Sequence, residues 1–193
     1  MKTTHRLFLA VAALATAFAS TASAAVETYE IDTAHSSVGF SIRHFVSKTS
    51  GSFGNVTGTI VVDRDNLEKS SVEATIAIAS VNTSNEKRDA HLQAPDFFDA
   101  AKFATATFKS KSWKKTGDDS FDVTGDLTLK GVTKEIVLKT KLLGFGDGMK
   151  GAKLSGWEST ITLKRSEFGI SAYTGAVGEE VALTIGVEGI LKK

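Results

Sequence analysis

The stretch SSVGFSIRHF, Ser36–Phe45, alternates strictly: Val38, Phe40 and Ile42 are apolar, while Ser37, Gly39, Ser41 and Arg43 are small or polar. A period of two marks a β-strand with one face buried. In a regular strand His44 continues the apolar face and Arg43 points the other way. The same period recurs in Val56, Gly58, Ile60, Val62, in Val72, Ala74, Ile76, Ile78, and in Phe121, Val123, Gly125, Leu127, Leu129. It returns in Ile136 and Leu138, in Trp157, Ile161 and Leu163, and in Val181, Leu183, Ile185 and Val187. GNVTG, DRDN, TGDDS, KGVT and GFGDG separate these runs as turns. Eight or nine strands joined mostly by short turns predict an antiparallel meander. One apolar face per strand requires a two-sheet sandwich or a closed barrel. Glycines inside the runs (Gly39, Gly58, Gly125, Gly156, Gly186, Gly189) permit the bends of a coiled barrel and favour that solution.

One segment breaks the pattern. KRDAHLQAPDFFDAAKF, Lys87–Phe103, holds the one proline of the chain. Thr83 followed by Glu86 reads as a capping box, and good helix formers run from there until Pro95. Arg88, His91 and Leu92 fall on one helical face. A short helix between two barrel strands predicts a lid over one mouth, with Phe97, Phe98 and Phe103 adding aromatic surface and the polar groups of Arg88 and His91 turned inward. The plainer reading of each phenylalanine is that it fills the core.

The chain opens with Lys2, His5 and Arg6, the apolar run LFLAVAALATAFA, and Ala22-Ser23-Ala24. This is the pattern of a secretory signal peptide, residues 1–24, cleaved before Ala25. The run is too short for the ~20 residues of a retained span. The whole chain has 23 basic and 22 acidic residues; without Lys2 and Arg6 the formal charge becomes −1. Near-neutral charge with no basic run offers no footprint for nucleic acid or an anionic membrane. About 170 remaining residues suit one domain, residues 25–193. The absence of cysteine rules out disulfides and thiol chemistry.

Candidate chemistry is sparse. His35, His44 and His91 are the histidines beyond the leader, and three imidazoles suit zinc. No H-x-x-x-H or H-x-H pair places two ligands on one element, so a metal-dependent hydrolase is the weaker alternative. Ser84-Asn85-Glu86-Lys87 and Lys115-Thr116-Gly117 echo the S-x-x-K and K-T-G of penicillin-interacting enzymes, but the chain is too short for that fold. No catalytic residue, metal site or cofactor is expected. A second alternative is a structural or stress-related protein whose barrel is packed with its own side chains.

Four stretches resemble the YceI-like family in the right order: YEIDTAHSSVGFSIRH (Tyr29–His44), RDAHLQAPDFFDAAKF (Arg88–Phe103), VTGDLTLKGVTKEIVL (Val123–Leu138) and RSEFGI (Arg165–Ile170). The resemblance implies a lipocalin-like, extended antiparallel barrel that holds a polyisoprenoid or isoprenoid quinone in a secreted, periplasmic bacterial protein. It places His44, Arg88, Asp89, His91 and Arg165 at the cavity mouth, and Phe40, Phe97, Phe98, Trp157 and Phe168 in the apolar wall or lid. A long isoprenoid lipid is the expected partner. A second copy of the chain and a membrane protein that donates or accepts the lipid are further partners compatible with that role.

Overall fold

The computed structural model describes residues 26–193, so the expected leader at residues 1–24 lies outside the described residues. Eleven strands form one sheet. Strands β1 (Val26–Ile31) and β2 (Ser37–His44) are two halves of one barrel strand, because both pair with β11 (Val177–Leu191). β3 (Ser47–Phe53) and β4 (Val56–Asp63) make the next, and β5 (Ser71–Ala77) with the short β6 (Val81–Asn82) makes the third. β7 (Thr105–Gly117), β8 (Ser120–Leu129), β9 (Val132–Asp147) and β10 (Lys153–Lys164) follow as single long strands. Eight long strands therefore run up and down in chain order, and the pairing of β1 with β11 closes them. The result is a lipocalin-like antiparallel barrel, as the alternating pattern requires.

Local chemistry explains the corners. The β8–β9 hairpin turns on Lys130 (φ 50°) and Gly131 (φ 75°), two successive left-handed residues that match the twist of the flanking strands. Within β4, Gly58 (φ 144°) approaches β5 so closely that a Cβ there would lie 2.1 Å from the Glu73 carbonyl oxygen. Only glycine permits that approach. The break between β1 and β2 is held by Asp32, whose carboxylate accepts from the Ala34 N–H at 2.9 Å and pairs with His35 Nδ1 at 2.7 Å.

The barrel has two unlike ends. One carries the N-terminus of β1, the C-terminus of β11 and the β4–β5, β7–β8 and β9–β10 connections. The other carries the β2–β3 and β8–β9 turns, the segment 83–104 and the segment 165–176. The helix α1 (Glu86–Leu92) lies in that segment, before the proline as expected. Its cap differs from the expected box. Asn85 is the N-cap, accepting from the Arg88 N–H at 3.0 Å, while Thr83 donates its own N–H to Asp89 at 2.8 Å. Asn85 sits two residues nearer the helix, so its side chain meets the open N–H first.

Candidate functional site

The inward faces of the strands enclose apolar space along the barrel axis. Two chambers lie next to each other and share Val38, Ile76, Leu127 and Leu183 in their walls. Their cavity volumes are about 120 and 170 Å³. The chamber under α1 is walled by Phe40, Ile42, Phe53, Leu129, Leu163 and Val181, and roofed by Leu92, Phe97, Phe98 and Phe168. Phe98 meets Phe53 edge to face, with centroids 5.6 Å apart, so the lid rests on the strand wall.

The far chamber ends on an aromatic floor. Trp113 and Trp157 cross at 88° with centroids 5.3 Å apart, Phe121 leans on Trp113, and Phe145 on Trp157. Tyr29 packs on Phe145 at 6.1 Å, and the Arg64 guanidinium covers the Phe145 ring at 3.7 Å. The Tyr29 hydroxyl donates to Glu27 at 2.7 Å; burial, aided by that carboxylate, pushes its pKa up to about 12.

Residues 29–189 fit the YceI-like domain. The chain belongs to the YceI-like family. It is 42% identical over 177 residues to Protein YceI of Escherichia coli O157:H7, covering 90% of this chain and 92% of that one. The crystal structure of the Campylobacter jejuni YCEI protein superposes with a TM-score of 0.71 at 36% identity, covering 77% of this chain and 88% of that chain. A polyisoprenoid binding domain from Saccharophagus degradans, implicated in plant cell wall breakdown, has a TM-score of 0.65 at 15% identity, covering 85% of this chain and 98% of that one. The last likeness concerns the fold alone.

Within this YceI-like barrel the ten residues singled out from the sequence separate into two groups. Phe40, Phe97, Phe98, Phe168 and Arg165 line the chamber under the lid, and Trp157 lines the far one. The inward parity of Val38, Phe40 and Ile42 holds, but His44 lies past the rim and is exposed, its ring against Phe45. The expectation of inward-facing polar groups on the lid is corrected. Arg88 donates Nε to the Thr83 hydroxyl and a terminal nitrogen to the Thr83 carbonyl, both at 2.7 Å. Asp89 accepts from Thr83 as well, so the two charges brace the loop before α1. His91 is exposed, bonded through Nε2 to Asp96 at 2.9 Å and packed between Phe97 and Tyr173. The physical reason is common to all three: a local partner a few residues away satisfies a polar group more readily than an apolar cavity does.

Arg165 is 5% exposed, and each of its three guanidinium nitrogens donates one hydrogen bond. Nε reaches the Gly178 carbonyl at 2.7 Å, and the terminal nitrogens reach Ile170 and Val177 at 3.0 and 3.1 Å. It ties the 165–176 segment to β11 while lining the chamber under the lid. The histidines are held apart by separate partners: His35 by Asp32, His91 by Asp96, His44 by Phe45. Among the described residues the one His/Asp/Glu group within 4.8 Å is Asp32, His35 and Glu188. There the carboxylate of Asp32 holds His35 above, and His35 holds Asp32 below, the usual pKa.

Sequence reasoning missed the polar side chains inside the barrel. Thr140 and Ser159 bond hydroxyl to hydroxyl at 2.8 Å and line the far chamber, and Ser155 is fully buried. Parity could have found them, because Ser155 and Ser159 share the inward face of Trp157 and Ile161.

Proposed function

We propose that this YceI-like protein is a periplasmic lipid-binding protein that carries or sequesters a long isoprenoid chain in its barrel, with no chemistry of its own. The observation that carries the reading is the pair of adjoining apolar chambers, floored by aromatic rings and roofed by the α1 segment. Each buried CH₂ of a tail contributes ~0.8 kcal/mol, so tens of carbons reach a gross gain beyond the roughly 20 kcal/mol ceiling of non-covalent affinity. Ordering of the chain and competition from membranes offset much of it. Phe40, Phe97, Phe98, Phe168 and Trp157 touch the tail in this account. Residues 1–24 are a leader removed on export, and residues 25–193 act as one binding domain. Among the described residues no helix is long and apolar enough to cross a membrane. The two apolar cavities inside the barrel speak against the packed-barrel alternative, and the separation of the histidines against the hydrolase.

The test is extraction of the protein, purified from its own periplasm, with organic solvent followed by mass spectrometry. A stoichiometric isoprenoid lipid is expected. An empty extract, together with no uptake of added isoprenoid, would overturn the reading.

A further inference from the structure

Among the described residues three exposed apolar side chains stand together on the rim at the lid end: Phe45, Val46 and Tyr173, 58, 102 and 56% exposed. Phe45 and Val46 form the tip of the β2–β3 hairpin, and the Phe45 N–H donates to the Ala176 carbonyl at 2.7 Å. Ala176 in turn donates its N–H to the Tyr173 carbonyl at 2.9 Å, so the hairpin tip and the 165–176 segment make one rim. Both aromatic residues sit in the left-handed region, Phe45 at φ 47° and Tyr173 at φ 58°. A bulky side chain is rarely held there, and glycine or asparagine would adopt the same backbone with less strain. Strain of this kind persists where function uses the group it presents. Here it presents two rings to the outside.

Charge follows the same hairpin. Arg43 and Lys48 face each other just behind the tip, both exposed, and no acidic residue occurs between Asp32 and Asp63. On the outer wall below, Arg43, Lys48 and Lys164 share a concavity with Glu179 and Glu180, and Glu179 accepts from Ser166. Three cations against two acids leave a local positive excess that the near-neutral chain as a whole hides. The size of the apolar patch decides what it meets. An aromatic side chain buries about 150–250 Å² when fully covered, so these three partly exposed side chains offer roughly 300 Å². A stable protein interface takes about 800 Å² from each partner. An apolar tip, a tyrosine beside it and cations behind it are the groups that an anionic bilayer surface receives at successive depths.

We infer that the lid-end rim docks reversibly on an anionic phospholipid surface, with Phe45, Val46 and Tyr173 entering the interface and Arg43 and Lys48 meeting the head groups. The place of Tyr173 gives this contact a consequence. Its ring stacks on Phe97 with centroids 5.8 Å apart and planes at 11°, and Phe97 roofs the chamber under α1. His91 stands edge-on to both rings. A bilayer that takes up Tyr173 competes with that stack, so the roof loosens where a membrane stands ready to receive an apolar chain. The inference goes beyond the lipid-binding reading and rests on it for its purpose, not for the contact itself.

The test floats protein purified from the periplasm with vesicles of phosphatidylcholine and phosphatidylglycerol, and with vesicles of phosphatidylcholine alone. Binding to the anionic vesicles is expected, and it should weaken as salt is raised. Phe45→Asn removes the ring but suits the left-handed backbone. It should lower vesicle binding about tenfold while the thermal midpoint holds or rises. Val46→Ser should act in the same direction, and Lys48→Glu should weaken binding several-fold on the anionic vesicles alone. Met149→Ser, 89% exposed at the opposite end, should change nothing. Polyprenol loaded into the protein should pass to acceptor vesicles at a rate that rises with vesicle concentration. No vesicle binding by the native protein, an equal loss in Met149→Ser, or transfer independent of vesicle concentration overturns the docking inference, while uptake of polyprenol leaves the lipid-binding reading standing. A dimer that Val46→Ser splits, seen by sedimentation velocity, assigns the rim to a second copy of this chain and overturns the inference as well. Failure to take up polyprenol overturns the lipid-binding reading, and flotation alone then decides the docking.

Discussion

Phe98 stands edge-on to Phe53, 5.6 Å between centroids, and is the contact through which the α1 segment bears on the barrel wall. Lys130 adds a second tie, donating to the carbonyls of Pro95 at 2.9 Å and Gly169 at 3.1 Å. Leu92 and Ala100 of the segment also pack against the core. Phe98→Ala removes one aromatic pair and part of a half-buried side chain, a loss of about 1–2 kcal/mol. Lipid release, followed by transfer to vesicles in a stopped-flow experiment, should accelerate several-fold while the thermal midpoint falls only by a few degrees. Global unfolding would show that the segment is core and not a door.

Phe40 and Arg43 lie three residues apart on β2 and point to opposite sides. Phe40 walls the chamber and packs on Phe53 at 5.8 Å, whereas Arg43 is exposed. Phe40→Asp places a carboxylate in apolar space and should abolish lipid retention, assayed by co-purification. Arg43→Ala should leave retention unchanged. Equal loss in both would contradict the facing of β2.

The facing of that strand was legible because alternation is a backbone property: Val38, Phe40 and Ile42 point inward wherever β2 sits in the sheet. Barrel closure was legible for a similar reason, since eight one-sided strands leave few other solutions. The polar mouth was not. Arg88, Asp89 and His91 share a sequence segment with the lid, but whether a polar side chain turns inward depends on competing partners such as Thr83 and Asp96, which sequence spacing does not rank. The floor was hidden differently. Trp113 and Trp157 come from strands far apart in sequence, and only closure brings their rings together at 5.3 Å.

Arg165 makes a prediction about stability instead of binding. Three carbonyls depend on its guanidinium, those of Gly178, Ile170 and Val177. Arg165→Ala leaves them buried without donors and should cost about 3 kcal/mol or more, roughly 6–12 °C in thermal midpoint for a domain of this size. Arg165→Lys should recover only part, because a single ammonium cannot reproduce the planar fork. A lysine variant as stable as the native protein would show that the fork geometry is dispensable. Calorimetry of the two variants decides the point.

The Asp32–His35 pair sets a window on the acid side. His35 has its pKa raised by the hydrogen bond and charge of Asp32, so its contribution is full below the unfolded value of 6.5 and is lost as pH rises through the raised folded value. Asp32 has its pKa lowered by the hydrogen bond from His35, so its contribution is present above 3.8 and is lost as pH falls through the folded value. The pair therefore acts most strongly between these two unfolded values. His35→Gln should lower the urea midpoint within that interval and converge on the native protein outside it; a difference confined to higher pH would contradict the assignment.

Tyr29 governs the alkaline side. Burial first, then the hydrogen bond and charge of Glu27, raise its pKa from 10.0 to about 12, with Arg64 opposing. A raised folded pKa means that the protonated phenol is favoured in the barrel. Its contribution is complete below pH 10 and disappears as pH climbs through about 12. Unfolding should thus draw a proton off Tyr29 in this range, and alkaline denaturation should coincide with the appearance of its phenolate absorbance. Arg64→Ala removes the cation that eases ionisation, so the phenolate step should move to higher pH even though the floor loses a stacking partner at 3.7 Å. A step that moved to lower pH would mean that solvent reaches the Tyr29 hydroxyl once Arg64 is gone, and that the guanidinium, more than the packing of Phe145, seals this end of the barrel.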